Sequence, residues 1–474
     1  MMKPTKLFHT ACLLPVLFSH PIMAANYLTG LIGVNYQPNH YPTNNAFNFH
    51  DVFVVGNAAD GKPITNIYME LSQLKAAGFN TVRSYQTTDY AWIDLINQAN
   101  RLGMNVIYEA VIPQSGNNSD ITAATTLLNT VMNAVGVGKF NSTVSLIFAG
   151  HENYCDTCSG GSSNITYLTS AVAALQAAAP GVPVSSAVVS GDFVTPSRPI
   201  LTDMNTLINS YSATAPMAFD PYPFQWGVPI ADAVGTISGS PTINSIGYDF
   251  AATMTNFAAQ YGTRTLLIAE SGWASSGTTN PGYACNNPPM IQCSPSVSNE
   301  ATYFSNLYQF VNNPSNNSGL LAFEAYDEPA KVADSTNMED YYGIFDQNCN
   351  LKGPNNLTLI PNQSYSPSAN LGCQGYTNGA LMTIIGFGHP YTLIINQTNP
   401  ITNLMSTITV TSNGVSGPIA DAPWSHYLVF PGATITIRGN PSCTSTVQSI
   451  NSTQQITFSG SCNCPNNNSN NCFY

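Results

Sequence analysis

The chain has 474 residues, of which 43% are hydrophobic and 10% aromatic, so it can bury a large core and is expected to contain more than one domain. Lysine and arginine together number 12 against 24 aspartate and glutamate residues, which gives a formal net charge of -12 at pH 7. Because no basic stretch is present to neutralise phosphates, we expect no nucleic-acid partner.

The first 24 residues predict a secretory signal peptide, with cleavage near Ala25. Lys3 and Lys6 precede an apolar stretch at residues 11–18. This stretch is about half of the ~20 residues that a membrane-spanning helix needs, and no other segment has the pattern of a span. We therefore expect a mature protein that is secreted, either extracellular or periplasmic.

Eleven cysteines are present, and loss of Cys12 with the signal leaves ten, an even set that fits an oxidising compartment. The spacing does not reveal their pairing. Cys155 and Cys158 form a CxxC motif. This motif has three alternative interpretations: a disulfide that braces a loop, a redox pair, or half of a zinc site. We favour the disulfide, because no second CxxC completes a zinc site.

Eight short apolar runs alternate with helical segments in the first 325 residues, a rhythm that predicts repeated β-α units. The predicted strands are residues 31–36, 81–85, 105–111, 144–150, 184–189, 216–219, 265–269 and 320–325. Amphipathic spacing predicts helices at residues 67–77, 91–102, 123–135 and 165–178. We expect an α/β fold, a (β/α)8 TIM barrel, rather than an open doubly wound sheet, because no glycine fingerprint or phosphate loop follows an early strand.

Two of the predicted strands end on a glutamate, although only 8% of the residues are charged. Glu152 closes the run that starts at Val144, and Glu270 closes the run that starts at Thr265. A carboxylate at the end of a buried strand is costly to desolvate unless it is paired or does chemistry. In a barrel these two would lie at the C-terminal ends of the fourth and seventh strands, which predicts an acid and a nucleophile at one cleft.

Several motifs occur in the same order as in glycoside hydrolase family 17, the secreted β-1,3-glucanases and glucan-remodelling enzymes, and the barrel region resembles this family. The motifs are Gly33-Val-Asn-Tyr36, Asn80-Thr-Val-Arg83-Ser-Tyr85, Asp220-Pro-Tyr222-Pro-Phe224, Glu270-Ser-Gly-Trp273, Phe323-Glu-Ala-Tyr-Asp-Glu328-Pro-Ala-Lys331 and Glu339-Asp-Tyr-Tyr-Gly-Ile-Phe345. Each motif alone is weak, whereas their order together is specific.

The resemblance implies that Glu270 is the nucleophile and Glu152 the general acid and base of a retaining reaction on β-1,3-glucan. The implied substrate-binding residues are Tyr36, Arg83, Tyr85, His151, Asn153, Tyr222, Phe224, Trp273, Glu328, Lys331 and Glu339. Aromatic rings at strand ends suit stacking on a sugar, although the tyrosines and the phenylalanine could equally be core. Glu328 and Glu339 have an equal alternative to substrate contact, which is an ion-pair network with Lys331 that only holds the loop. The chemistry requires no metal and no cofactor.

One residue departs from the family pattern, in which an asparagine precedes the acid and base glutamate. Here that position is His151. In related enzymes the asparagine bonds the sugar 2-hydroxyl, and a histidine ring nitrogen can donate the same hydrogen bond. The alternative is that the contact is lost, which would lower activity or change the substrate.

The pattern changes after Lys352, where a stretch rich in asparagine, proline and serine begins. We expect a catalytic domain over residues 25–353, a linker over 354–378 and a disulfide-containing, sandwich-like β domain over 379–474. The predicted strands there are residues 380–387, 391–396, 406–411, 426–430, 433–438 and 454–459. This accessory domain either binds polysaccharide, through Trp424 or Tyr427, or caps the barrel.

Three classes of function remain open for the whole chain. The first is a secreted β-1,3-glucan hydrolase or transglycosylase, the second a catalytically weakened glycan-binding protein, and the third a surface or adhesion protein. Hydrolysis is the default expectation. The linkage and chain-length preference, endo or exo action and the oligomeric state cannot be predicted from the sequence.

Overall fold

The structure is a computed structural model, and it describes most of the chain from Leu31 to Gly460. The described residues are 31–38, 40, 52–113, 116–154, 165–194, 198–237, 240–241, 245–278, 294–313, 315–316, 318–329, 331, 337–353, 372–383, 385–387, 390–413, 416–418, 426–438, 443–450 and 456–460. The expected signal peptide, the CxxC motif, Trp424 and most of the expected linker lie outside these residues.

The strands are numbered in chain order. They are β1 (Ile32–Asn35), β2 (Val54–Asn57), β3 (Pro63–Thr65), β4 (Thr81–Ser84), β5 (Asn105–Ala110), β6 (Val144–His151), β7 (Val184–Val189), β8 (Met217–Asp220), β9 (Thr236–Ile237), β10 (Ser240–Pro241), β11 (Leu266–Ser271), β12 (Ser318–Ala322), β13 (Ala380–Thr383), β14 (Ile385–Phe387), β15 (Pro390–Thr398), β16 (Met405–Asn413), β17 (Ser416–Pro418), β18 (His426–Val429), β19 (Thr434–Arg438), β20 (Cys443–Ile450) and β21 (Ile456–Gly460).

Eight of these strands form a closed parallel barrel in the order β1-β4-β5-β6-β7-β8-β11-β12, and β12 returns to pair with β1. The predicted barrel is therefore confirmed, and its strands lie within a few residues of their predicted bounds. Nearly all side chains of β5, β7 and β11 are buried on both faces, as expected for parallel strands covered by helices. Glu152 follows the fourth barrel strand, and Glu270 lies in the seventh.

Helices connect the strands and cover the barrel. They are α1 (Asn66–Ala76), α2 (Asp89–Leu102), α3 (Asn118–Val135), α4 (Val137–Thr143), α5 (Ile165–Ala178), α6 (Ser190–Val194), α7 (Arg198–Ser210), α8 (Ile246–Asn256), α9 (Ala258–Tyr261) and α10 (Val297–Val311). Local sequence fixes several of their ends: Asn117 and Asp120 form a capping box at the start of α3, and Gly103 ends α2 with a left-handed φ of 65°. Among the described helices, none has the length and apolar character needed to cross a bilayer.

The C-terminal strands form further sheets, which are mainly antiparallel. The order β16-β15-β19-β20-β21 makes a five-stranded sheet, and β14 pairs with β17. A four-stranded sheet has the order β13-β18-β2-β3, so it combines C-terminal strands with a hairpin that precedes α1. Strands are present at the positions expected beyond residue 379, but the single strand expected at 380–387 corresponds to β13 and β14, which lie in different sheets. The strands that were not predicted are β2, β3, β9, β10, β17 and β20.

Contacts between the β2 hairpin and the C-terminal strands continue beyond this sheet. The Asn57 Oδ1 atom accepts a hydrogen bond of 2.9 Å from the Thr409 amide. The Phe53 ring, which is 0% exposed, packs edge-on against Tyr376. A disulfide joins Cys349, in the segment after β12, to Cys373. The barrel and the C-terminal strands thus share a buried boundary, although the expected domain limits remain a prediction.

Candidate active site

The backbone turns sharply where β6 delivers Glu152 to the end of the barrel. Gly150 has a φ of 71° and Glu152 a φ of 47°, both in the left-handed region. This region is uncommon for a residue with a side chain and is enriched at functional sites. The Glu152 amide donates a hydrogen bond of 3.1 Å to the Ala187 carbonyl at the end of β7, so the turned segment is tied to the next strand.

Gly150 is required at this turn, and we expect Gly150→Ala to destabilise the fold. A Cβ atom there would lie 1.8 Å from Asn153 Oδ1 and 2.8 Å from Ile112 Cγ1, in addition to the strain of its positive φ. We expect a loss of about 2 kcal/mol in the free energy of unfolding, measured by denaturant titration. The control is Gly138→Ala in α4, where no atom lies within 4 Å of the added carbon and stability should hold or rise. Equal stability of the two variants would contradict this account of the turn.

Glu270 lies in a polar pocket and is only 4% exposed. The Tyr222 hydroxyl donates a hydrogen bond of 2.9 Å to Glu270 Oε2, and the Tyr85 hydroxyl donates to Oε1. The Arg83 Nη1 atom lies 3.4 Å from Oε1. Burial alone would raise the pKa of Glu270, but His151, Arg83 and the two tyrosine hydrogen bonds outweigh it, so that its pKa is lowered. Glu270 is therefore held as a carboxylate.

Arg83 is fully buried in β4 and links four barrel strands. Its Nε and Nη2 atoms donate to Glu109 Oε2 at 3.1 and 2.9 Å, and Nη1 donates to the Ala269 carbonyl at 3.0 Å. The Nη2 atom also lies 2.9 Å from His151 Nδ1. A guanidinium is always a donor, so His151 Nδ1 must be the acceptor and its proton must sit on Nε2. The Nε2 atom lies 3.6 Å from Glu270 Oε1.

Glu152 has the opposite electrostatic environment to that of Glu270. Burial and the negative charge of Glu270 raise the pKa of Glu152, against a lowering from His151 and Arg83. The pKa values of the two glutamates are therefore shifted in opposite directions, a difference that is found in pairs of a catalytic acid and a nucleophile. Asn153 does not join them, because its Nδ2 atom donates to the Ile112 carbonyl at 2.8 Å.

Sequence reasoning missed two carboxylates in this cluster, Glu109 on β5 and Asp220 at the end of β8. Asp220 is 1% exposed, and neither of its oxygens has a hydrogen-bond partner among the described residues. Burial and the charges of Glu270, Glu152 and Glu109 raise its pKa well above the usual range, against a lowering from Arg83. The signal that identified Glu152 and Glu270, a carboxylate ending an apolar strand, also holds for Asp220, whereas Glu109 lies one residue before the end of β5.

The charged residues expected after the last barrel strand lie together. Lys331 Nζ is 3.8 Å from Glu324 Oε1 and 4.0 Å from Glu339 Oε2. The charges of Glu324, Glu328 and Glu339 outweigh burial and raise the pKa of Lys331. The side chains of Glu328 and Glu324 also hydrogen-bond to each other. Glu324, which is 3% exposed, is a further member that was not predicted.

Four of the expected sugar-binding rings are buried, those of Tyr36, Tyr222, Phe224 and Trp273. Tyr36 is 1% exposed and its hydroxyl donates to Glu70 Oε2 at 2.5 Å. Phe224 and Trp273 pack in a tilted arrangement with ring centroids 4.8 Å apart and are 2% and 0% exposed, so they present no open face to a ligand. Tyr427, the alternative ring in the C-terminal strands, is also buried.

A different ring, that of Trp226, is 37% exposed on the segment after β8. Its neighbour Gln225 lies close to the charged cluster, because its Nε2 atom donates to Glu339 Oε1 at 3.4 Å. Trp226 is therefore an open aromatic surface at the same end of the barrel as Glu270.

Within the part of the chain that the structure describes, two groups contain potential metal ligands. His151, Glu152 and Asp220 have ligand atoms within 4.8 Å of one another, and His40 lies near Cys349 and Cys373. At the first group the Arg83 guanidinium already occupies His151 Nδ1 and adds a fixed positive charge, which disfavours a cation. At the second group the cysteines form a disulfide and offer no thiolate.

No protein-family model and no curated protein matches this chain. Similar solved structures include an endo-laminarinase from Formosa Hel1_33_131, with 17% identity over 67% of this chain and 83% of that one and a TM-score of 0.46. A Rhizomucor miehei beta-1,3-glucanosyltransferase mutant in complex with laminaritriose has 18% identity over 71% and 98%, with a TM-score of 0.45. Beta-glucuronidase 3 from Bacteroides uniformis has 13% identity over 91% and 48%, with a TM-score of 0.45. Likenesses this distant do not define a reaction, so the function is argued from the site.

Proposed function

We propose that this protein is a retaining glycoside hydrolase that cleaves β-1,3-glucan, with Glu270 as the nucleophile and Glu152 as the general acid and base. The observation that supports this most is the opposite shift of the two glutamate pKa values at the ends of the seventh and fourth barrel strands. The choice of β-1,3-glucan rests on the motif resemblance to glycoside hydrolase family 17. The proposal includes an extracellular or periplasmic location for the mature chain.

In the first step the Glu270 carboxylate attacks the anomeric carbon and forms a glycosyl ester. The bond to the leaving oxygen breaks, its electron pair stays on that oxygen, and Glu152 supplies the proton. In the second step the Glu152 carboxylate takes a proton from water, the water oxygen attacks the anomeric carbon, and the electron pair of the ester bond returns to Glu270. A sugar hydroxyl in place of water would give chain transfer, the alternative outcome.

The residues around Glu270 have distinct roles in this proposal. Tyr85 and Tyr222 hold its two oxygens in place, and Arg83 keeps it ionised. The Nε2–H group of His151 is available to donate to a substrate hydroxyl beside the nucleophile, which is the contact that an asparagine makes in the family pattern.

The proposal predicts a bell-shaped dependence of kcat/KM on pH. Glu270 must be ionised and Glu152 protonated, so activity should rise as the pH passes the lowered pKa of Glu270 and fall as it passes the raised pKa of Glu152. Rates measured between about pH 3 and pH 9 test this. With an activated aryl glycoside, Glu152→Gln should lose the alkaline limb. An unchanged alkaline limb in that variant would assign the acid to another residue.

The deciding experiment is product analysis with laminarin and with a defined β-1,3-gluco-oligosaccharide. Shorter products alone would support hydrolysis, and products longer than the input would favour the transglycosylase alternative. The matched controls are Glu152→Gln and Glu270→Gln, neither of which should turn over the polymer. Binding of laminarin without any product from the unchanged protein would favour the glycan-binding alternative, and His151→Asn would then be expected to restore turnover.

A further inference from the structure

Asp220 is a buried acid for which the two-step reaction has no use. It ends β8, close to both residues that turn out of β6. Its Oδ2 atom lies 3.8 Å from His151 Nδ1, and one of its carboxyl oxygens lies within 4.8 Å of a Glu152 carboxyl oxygen. Among the described residues it forms no ion pair with a lysine or arginine, and no group donates a hydrogen bond to it. An ionised carboxylate in that position would be very costly.

The charges around Arg83 lead to the same conclusion without reference to any pKa. The guanidinium pairs with Glu109 at 2.9 Å and with Glu270 at 3.4 Å, so its single positive charge already faces two carboxylates. The Arg83 charge is thus shared among four neighbouring carboxyls, Glu109, Glu270, Glu152 and Asp220. Asp220 neither pairs with Arg83 nor accepts a hydrogen bond among the described residues, so its ionised form is the least stabilised of the four.

We propose that Asp220 is a neutral carboxylic acid that positions and stabilises Glu152, by donating a hydrogen bond to the Glu152 carboxylate that the first half-reaction creates. This inference rests on the proposed function for the role of Glu152. Glu152 gives its own proton to the leaving oxygen, and Asp220 keeps its proton throughout. A side-chain rotation closes the present gap between the two carboxyls. When Glu152 takes a proton from water in the second step, the hydrogen bond is released and the site returns to its starting state.

Two substitutions of similar size separate this role from packing. Asp220→Asn keeps a neutral hydrogen-bond donor, whereas Asp220→Leu removes the donor and fills the space. Because a donor favours the ionised form of its partner, its loss in Asp220→Leu should raise the pKa of Glu152 by about one unit, whereas Asp220→Asn should leave it nearly unchanged. If Asp220 were ionised instead, both substitutions would remove a negative charge and lower the pKa of Glu152.

The groups that share this environment must be considered in any titration. They are Arg83 and Tyr85 from β4 and its following segment, Glu109 from β5, His151 from β6, Tyr222 after β8 and Glu270 from β11. None of them is altered in the two variants.

The test follows the Glu152 carboxyl by ¹³C NMR in protein labelled at glutamate side chains, with the signal assigned by its loss in Glu152→Gln. An upward shift of its pKa in Asp220→Leu alone supports the proposal, and a downward shift in both variants, or no shift in either, overturns it. The titration needs no substrate. Even if the protein did not cleave glucan, the pKa of Glu152 could therefore still be compared between the variants. In an active protein, the alkaline limb of kcat/KM should move in the same direction.

A second measurement applies if Asp220→Leu does not fold. The infrared spectrum of the wild-type protein at neutral pH should contain a carbonyl band from a protonated carboxylic acid. This band should be missing from the spectrum of Asp220→Asn. Identical spectra in this region would mean that Asp220 is ionised, and the proposal would fail.

Discussion

Glu270→Gln is expected to reduce kcat on laminarin by about 10⁴-fold or more while the protein remains folded, as is usual for loss of a covalent nucleophile. The amide keeps the size of the carboxylate and can still meet Tyr85 and Tyr222, so the effect should fall on chemistry. Initial rates on laminari-oligosaccharides and a thermal melt measure the two quantities. An active Glu270→Gln protein would remove the basis of the proposed mechanism.

Chemical rescue distinguishes the two carboxylates. With an activated aryl β-glycoside, azide should restore turnover in Glu270→Gly by direct displacement, which yields the α-glycosyl azide. In Glu152→Ala the glycosyl ester still forms, and azide should then yield the β-glycosyl azide. The anomeric configuration of each product, read by NMR, therefore assigns the roles. A reversed pair of products would mean that Glu152 is the nucleophile.

Deletion of residues 379–474 is expected to unfold the protein or to cost about 5 kcal/mol or more in the free energy of unfolding. The deletion removes β18, the neighbour of β2 in its sheet, together with β13 beyond it, and exposes apolar side chains such as Val54. Each large apolar side chain that becomes exposed costs roughly 1.5–3 kcal/mol. Solubility on expression and the thermal melt of any soluble product measure the outcome. A truncated protein with unchanged stability would show that the barrel folds independently of the C-terminal strands.

A point substitution examines the same boundary in the full chain. Phe53→Ala removes a fully buried ring that contacts Tyr376, and we expect a loss of about 3–5 kcal/mol. Met405→Ala in the C-terminal strands is the control, because that side chain is 83% exposed and should matter by less than about 0.5 kcal/mol.

The sequence predicted the barrel well because most barrel strands contain an apolar run set off by a helical segment. Some of the strands it did not reveal depend on distant partners or contain few apolar residues. β2 lies next to β18, which follows it by more than 370 residues, and half of the residues of β20 are serine or threonine. Local pattern carries no information about such pairing.

Charged residues of the candidate site could be recognised in the sequence by their residue type and position at strand ends. The burial of its aromatic rings could not, because burial depends on packing. Glu270, Arg83, Tyr85 and His151 lie close together, because barrel topology brings strand ends together. The exposure of a ring depends on its packing in the folded chain, and Trp273 is buried against Phe224 and Tyr303. Asp220 could have been found by the rule that identified Glu152 and Glu270, applied to every strand, whereas Glu109 does not end its strand.

The left-handed backbone at Glu152 predicts a conflict between heat resistance and chemistry. A side chain in that conformation costs roughly 1–2 kcal/mol, which glycine would avoid. Glu152→Gly should therefore melt at a higher temperature than the wild-type protein. Glu152→Ala keeps a Cβ and with it the strained backbone, so its melting temperature should not rise for this reason. Directed evolution for thermal tolerance alone would then favour variants that have lost the acid at this position, so a screen on this protein has to select for turnover as well.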